Sequence, residues 1–112
     1  MIGFPHHTLA TDKNNPDTYK YVINLSSSHK LQKIKSPQAL QKKYQIYQLK
    51  VKVKGKYWYK IRLGYFTNKK TASRTLKKLN KSYPDAWVDG IKSYDKKHLK
   101  KWLSKQKIRK NV

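Results

Sequence analysis

"YKIRLGYF" at residues 59–66 repeats the Tyr-x-Ile-x-Leu skeleton of "YVINLSSS" at residues 21–28, 38 positions earlier. Each stretch alternates as a β-strand does, sending Tyr21, Ile23 and Leu25, or Tyr59, Ile61 and Leu63, to one side. A chain that writes one strand twice, with a helix-forming segment after each copy, predicts two βα halves whose first strands lie side by side. The residues between, Val22, Asn24 and Ser26 in one copy and Trp58, Lys60 and Arg62 in the other, then share the opposite face.

Working outward, Ser36-Pro37 reads as a helix start, with proline at the first helical position of a short helix over roughly residues 36–44 that puts Leu40 and Tyr44 on one face. "IYQLKVKVKGKYWYKIRLGYF" reads as a hairpin reversing near Lys54-Gly55-Lys56, with Tyr47, Leu49, Val51 and Val53 inward and Gln48, Lys50 and Lys52 outward. "TNKKTASRTLKKLNKSYP" follows with Thr67 as N-cap and Ala72, Leu76, Leu79 and Tyr83 in a helical stripe that Pro84 ends. "DAWVDGI" supplies a last short strand that Gly90 breaks. "DKKHLKKWLSKQKIRK" spaces Leu99, Trp102 and Leu103 along one side of a basic helix.

The order is therefore βαββαβ plus a C-terminal basic helix. The expected fold class is α+β, a four-stranded antiparallel sheet with two helices on one face. The expected divisions are a flexible leader over residues 1–18, a domain over 19–92, and a basic amphipathic helical tail over 93–112. The two helices cover only the Tyr-x-Ile-x-Leu side, which leaves Asn24, Ser26, Trp58, Lys60, Arg62 and Trp87 to line an open face.

Composition says what such a face attracts. Twenty-eight Lys and Arg stand against five acids, all Asp, for a formal charge of +23. That field selects anionic partners: nucleic acid, acidic glycans or anionic lipid headgroups. The absence of cysteine removes disulfides and thiolate metal sites, and "MIGFPHH" holds no apolar signal core. The five carboxylates, Asp12, Asp17, Asp85, Asp89 and Asp95, offer no pair spaced for acid–base work, which argues against an enzyme. His6, His7, His29 and His98 have no sequence partner and read as solvated. No cofactor or metal is called for.

In its second half, "KYWYKIRLGYFTNKKTASRTLKKLNKSYPDAW" carries Trp58, Lys60, Gly64, Phe66, Ala72, Leu76 and Leu79 at offsets that resemble the SPOR domain, the sporulation-related repeat. The likeness spans roughly residues 19–91. The first half departs, with Asn24 where the family has glutamine, Ser26 where it has glycine and Ser28 where it has phenylalanine. The resemblance implies a βαββαβ sheet with helices on one face, no catalysis, and binding of bacterial peptidoglycan at glycan strands stripped of their stem peptides. It also implies a periplasmic or cell-envelope location, at division sites.

Such a strand offers flat sugar faces, acetamido groups and a lactyl carboxylate on each muramic acid. Trp58 and Trp87 suit the sugar faces, Asn24, Ser26 and Gln48 the amides and hydroxyls, and Lys60 and Arg62 the carboxylates. Gly64 reads as a bulge or close approach where the strand leaves the sheet. A basic RNA-binding module is the main alternative, since an open sheet with aromatics also stacks bases. The scarcity of Arg, and the lack of an aromatic-rich glycine motif on the central strands, weigh against it. In the tail, Leu99, Trp102 and Leu103 either pack back on the domain or dock on a membrane, another envelope protein or a larger assembly.

Overall fold

The computed structural model describes residues 14–35 and 37–110, with side chains through residue 106. The leader expected over residues 1–18 lies mostly outside them. Its described end is a single 3-10 turn, Pro16–Thr18, whose start is capped by the Asn15 side chain accepting from the Asp17 N–H at 2.9 Å.

Strand β1 (Tyr21–Ser28) is followed by a short helix α1 (Gln38–Lys43), then β2 (Gln45–Val53) and β3 (Lys56–Phe66), helix α2 (Lys69–Leu79), strand β4 (Trp87–Gly90) and helix α3 (Ser93–Lys110). The four antiparallel strands lie in the order β2-β3-β1-β4, so the two copies of the repeated skeleton are the central pair, as expected. The hairpin turns at Lys54 and Gly55, both with positive φ (51° and 81°), the requirement of a tight turn that matches strand twist. Asn68 caps α2, its side chain accepting from the Thr71 N–H at 2.8 Å; this corrects the expectation of Thr67, because Asn68 stands one residue nearer the first helical turn. Ser36 lies outside the described residues, and Pro37 is the residue before α1 rather than its first helical residue as expected, because its extended ψ of 143° keeps it out of the helix.

Helices α1 and α2 cover one face, over a core of Ile23, Leu25, Ile61, Leu63, Phe66, Ala72 and Leu79. Leu40 and Leu76 pack against it from the helices, and Tyr44 and Tyr83 from beyond the helix ends, since α2 stops at Leu79, earlier than the Pro84 expected to end it. The opposite face is not open over its whole length. Helix α3 lies on it, burying Leu99 and Leu103 against Tyr19, Val22, Tyr47, Leu49 and Tyr65, with Trp102 half-buried beside them. Because both faces are covered, Val22, Ile23, Asn24 and Leu25 are all buried in succession, and β1 loses the in–out alternation of a half-exposed strand.

The pairing also corrects the facing of β2. Tyr47 lies opposite Arg62, Leu49 opposite Lys60 and Val51 opposite Trp58, and directly opposed residues share a side. Tyr47, Leu49 and Val51 therefore face α3 rather than α1 and α2, while Ile46 and Gln48, opposite Leu63 and Ile61, face the two helices. Alternation fixed which residues go together, but either set suited a buried face, and a second buried face existed.

Two bulges adjust the central pair. Between Tyr21↔Phe66 and Ile23↔Leu63, strand β3 carries the extra residue, at Gly64-Tyr65 opposite Val22. A Cβ on Gly64 would meet the Val22 Cγ1 at 3.2 Å, which is the close approach expected of this glycine. Between Asn24↔Arg62 and Ser26↔Ile61 the extra residue is Leu25. It joins the core under α1 and α2, and Ser26 lines a cavity on that same side.

Candidate functional site

The polar centre of the α3 side is built around Arg62. Its side chain is fully buried, and its guanidinium meets Asp95 twice (Nε to Oδ1 3.3 Å, Nη2 to Oδ2 3.2 Å), Asp89 Oδ2 at 2.9 Å and Asn24 Oδ1 at 3.2 Å. Asp95, also fully buried, accepts from the Tyr47 hydroxyl at 2.8 Å and from the Lys92 N–H at 2.9 Å. It sits in the first turn of α3 and reaches back to the residue before it, half of a capping box, where a carboxylate also complements the helix dipole. No buried side-chain polar atom among the described residues lacks a partner.

Burial opposes the charge on Arg62, but the hydrogen bonds and charge of Asp95, then of Asp89, outweigh it and raise its pKa. Burial pushes the Tyr47 hydroxyl far above its usual range, and that of Tyr65 as well, so both stay protonated donors. The Tyr65 hydroxyl donates to Gln45 Oε1. Tyr94 lies with its ring 5.6 Å from the Arg62 guanidinium carbon. His98 stacks on Tyr47 at 4.5 Å, and burial lowers its pKa. This corrects the reading of His98 as a solvated histidine.

These contacts revise four of the expected site residues. Arg62 and Asn24 are 0% and 1% exposed, and their polar atoms are engaged within the chain; the Asn24 Nδ2 donates to Ser27 Oγ at 3.0 Å. They hold α3 and β1 rather than facing a ligand. Gln48 faces the other side and clasps the backbone of Gln32, donating to its carbonyl at 2.6 Å and accepting from its N–H at 2.8 Å. Ser26 donates to Gln32 Oε1 at 2.8 Å, so these two residues fasten the loop after β1. Leu99 and Leu103 are buried in the core, which leaves them no surface to dock on a membrane or a partner.

The other three remain accessible on the stretch of sheet beyond the N-terminus of α3. Trp87, opposite Asn24 on β4, is 44% exposed. Lys60 is half-buried opposite Ser27, and Trp58 lies two residues further along β3, on the same face. His29 stacks on Trp58, with ring centroids 3.7 Å apart, and its Nδ1 lies 3.0 Å from the Tyr57 carbonyl oxygen. Strand rise and spacing put Trp58 and Trp87 about 16 Å apart across this surface. Two aromatic stations with a cation between them suit an extended, ring-containing anion.

Asp95, Tyr94 and His98 were not singled out by sequence as parts of this face. One signal was available: Asp95 is the sole acid in a helix of lysines, placed where a helix start uses a carboxylate.

The sheet with helices on both faces, and an aromatic and cationic surface at one end, define a small binding module. The chain belongs to the SPOR domain family, whose model matches residues 18–89. SPOR domains are non-catalytic peptidoglycan-binding modules found in division and cell-envelope proteins. No match was found among curated proteins or among solved structures. The matched span ends before α3, so Asp95 and the α3 residues that cover the second face of the sheet stand beyond it. No helix among the described residues is long and apolar enough to cross a membrane.

Proposed function

We propose that this chain binds the glycan strands of bacterial peptidoglycan after their stem peptides have been removed, and that it does so in the cell envelope at division sites. The contact surface is the uncovered end of the sheet, with Trp58 and Trp87 against sugar faces and Lys60 meeting a lactyl carboxylate. The observation that carries this reading is the exposure of Trp87, with Trp58 and Lys60 on the same face, in a domain of a peptidoglycan-binding family. Removal of the peptide frees each lactyl acid, so a basic surface gains charge complementarity with stripped strands that intact ones do not offer. Asn24 and Arg62 act on this surface indirectly, by holding the start of α3 that borders it.

Each aromatic station contributes on the order of 1 kcal/mol, so Trp58→Ala weakens binding by roughly fivefold. Co-sedimentation with purified sacculi, amidase-stripped against intact, at near-physiological salt and with single-stranded RNA as competitor, tests the reading. Preferential pelleting with stripped sacculi, lost in Trp58→Ala and indifferent to RNA, supports it. Failure to pellet, with RNA binding that falls steeply with salt, refutes it in favour of a phosphate-backbone binder.

A further inference from the structure

At the end of the sheet remote from the hairpin, two open cavities of ≈ 480 Å³ and ≈ 490 Å³ adjoin, and Tyr44 and Trp102 line both. The two rings are held firmly. Tyr44 lies against Phe66 at 5.5 Å, and Trp102 meets Tyr19 edge-on at 5.8 Å and Tyr65 at 5.4 Å. Each cavity has the size of a small-ligand cleft. Lys42 and Lys105 stand around the first, Lys43, Arg74 and Lys78 around the second, and no carboxylate lines either.

This charge is uncompensated. Asp89 and Asp95, which balance Arg62, belong to the network under the start of α3. Arg74 makes no ion pair among the described residues, and Lys78 stands one turn further along α2 with the same sign, an arrangement that costs a helix stability until an anion arrives. Paired clefts divided by two rings, each with its own cations, fit a chain of sugar rings better than a single compact anion. The rings are half-buried and offer limited faces, which suits the C–H edges and hydroxyls of sugars more than the broad stacking of bases. Gln106 and Thr67 add an amide and a hydroxyl to the walls.

We propose that the twin cleft around Tyr44 and Trp102 is a second binding site, for a short segment of an anionic saccharide, with negative groups on either side of the ring pair. It is separate from the sheet-end surface and stands whether or not that surface binds. A domain with both sites holds a polymer at two points, or bridges two strands.

The chain has three tryptophans, and they divide between the surfaces: Trp58 and Trp87 at one, Trp102 at the other. Their indole N–H signals in a ¹⁵N-labelled protein therefore report the sites separately. The probe is a tetrasaccharide of alternating glucuronic acid and N-acetylglucosamine, with the neutral N-acetylglucosamine tetramer as control. The expected result is a saturable shift of the Trp102 signal by the acidic probe, with at least tenfold weaker response to the neutral one. In the double variant Lys43→Ala, Arg74→Ala, whose replaced side chains are exposed, the Trp102 response weakens at least tenfold while any response at Trp58 and Trp87 is unchanged. A Trp102 signal that does not move, that responds equally to the neutral probe, or that is unaffected by the double variant overturns the proposal. Tighter binding of oligothymidylate at Trp102 overturns it in favour of a nucleic-acid cleft.

Discussion

Replacing Asp95 with alanine should detach the start of α3 from the sheet. The carboxylate has no exposed surface, holds Arg62 through two bonds, accepts from the Tyr47 hydroxyl and caps the Lys92 N–H. Breaking a buried ion pair by removing one partner costs about 3–5 kcal/mol, chiefly because the other charge is left buried. Here Asp89 and Asn24 still meet Arg62, which puts that part at the lower end, about 3 kcal/mol. The uncapped N–H and the unpartnered Tyr47 hydroxyl add about 1 kcal/mol, less than their separate values because all three share one carboxylate. A total near 4 kcal/mol is a large part of the roughly 5–15 kcal/mol typical of a domain, and with a urea m-value of about 1–3 kcal/mol/M it lowers the unfolding midpoint by roughly 1.3–4 M.

Urea unfolding followed by tryptophan fluorescence reads this directly. Arg62→Met combined with Asp95→Leu should cost less than the sum of the two single changes, because neither member of the fully buried pair is left without the other, and Asp89 keeps Lys92 at 3.7 Å. An Asp95→Ala midpoint equivalent to less than about 0.5 kcal/mol of destabilisation, the range of an ordinary surface substitution, would refute the assignment of Asp95 as the anchor of α3.

Gly64→Ala forces a methyl to 3.2 Å from Val22, which is enclosed between β3 and α3. The overpacking costs about 1–3 kcal/mol, and a fall in Tm of at least about 4 °C in calorimetry is expected; an unchanged Tm would mean that the bulge relaxes freely. His98 has a folded pKa below its ordinary 6.5, so over the interval between the two the unfolded chain binds more protons and stability falls as pH drops below about 6.5. Tyr47, Asp95, Lys97 and Lys101 act on this ring, and burial is the largest influence. Urea midpoints at pH 7.5 and 5.5 should differ less in His98→Phe than in the parent chain; equal differences would assign the acid sensitivity elsewhere.

The repeated Tyr-x-Ile-x-Leu strand alone places β1 and β3 at the centre of the sheet, because two strands with the same apolar set want the same covered face. The stripe Ala72, Leu76 and Leu79 was equally plain, since an amphipathic helix has one way to turn its apolar side inward, while Tyr83 reaches the same core from beyond the end of the helix. Less legible was the direction of β2. Tyr47, Leu49 and Val51 are apolar enough for either face, and their assignment rests on pairing with Arg62, Lys60 and Trp58, which sequence order alone leaves free. Of the expected site residues, Trp87 is exposed and Trp58 half-buried, as an open stretch of sheet allows. The engagement of Asn24, Gln48 and Ser26 was not legible, because a polar residue on a strand looks the same whether it meets a ligand or a neighbouring loop.

By itself, the sequence determined the element order, the central strand pair, the hairpin at Lys54-Gly55, the close approach at Gly64 and the basic field, all consequences of local periodicity, backbone preference and composition. Only the tertiary structure decided what the second face touches. Arg62 at the face centre reads as a ligand contact until Asp95, 33 residues later, is brought to 3.2 Å. A buried ion pair between distant positions leaves no periodic trace in either segment. It is the packing of α3 that turns an open face into a core at one end, and confines the exposed aromatics to the other.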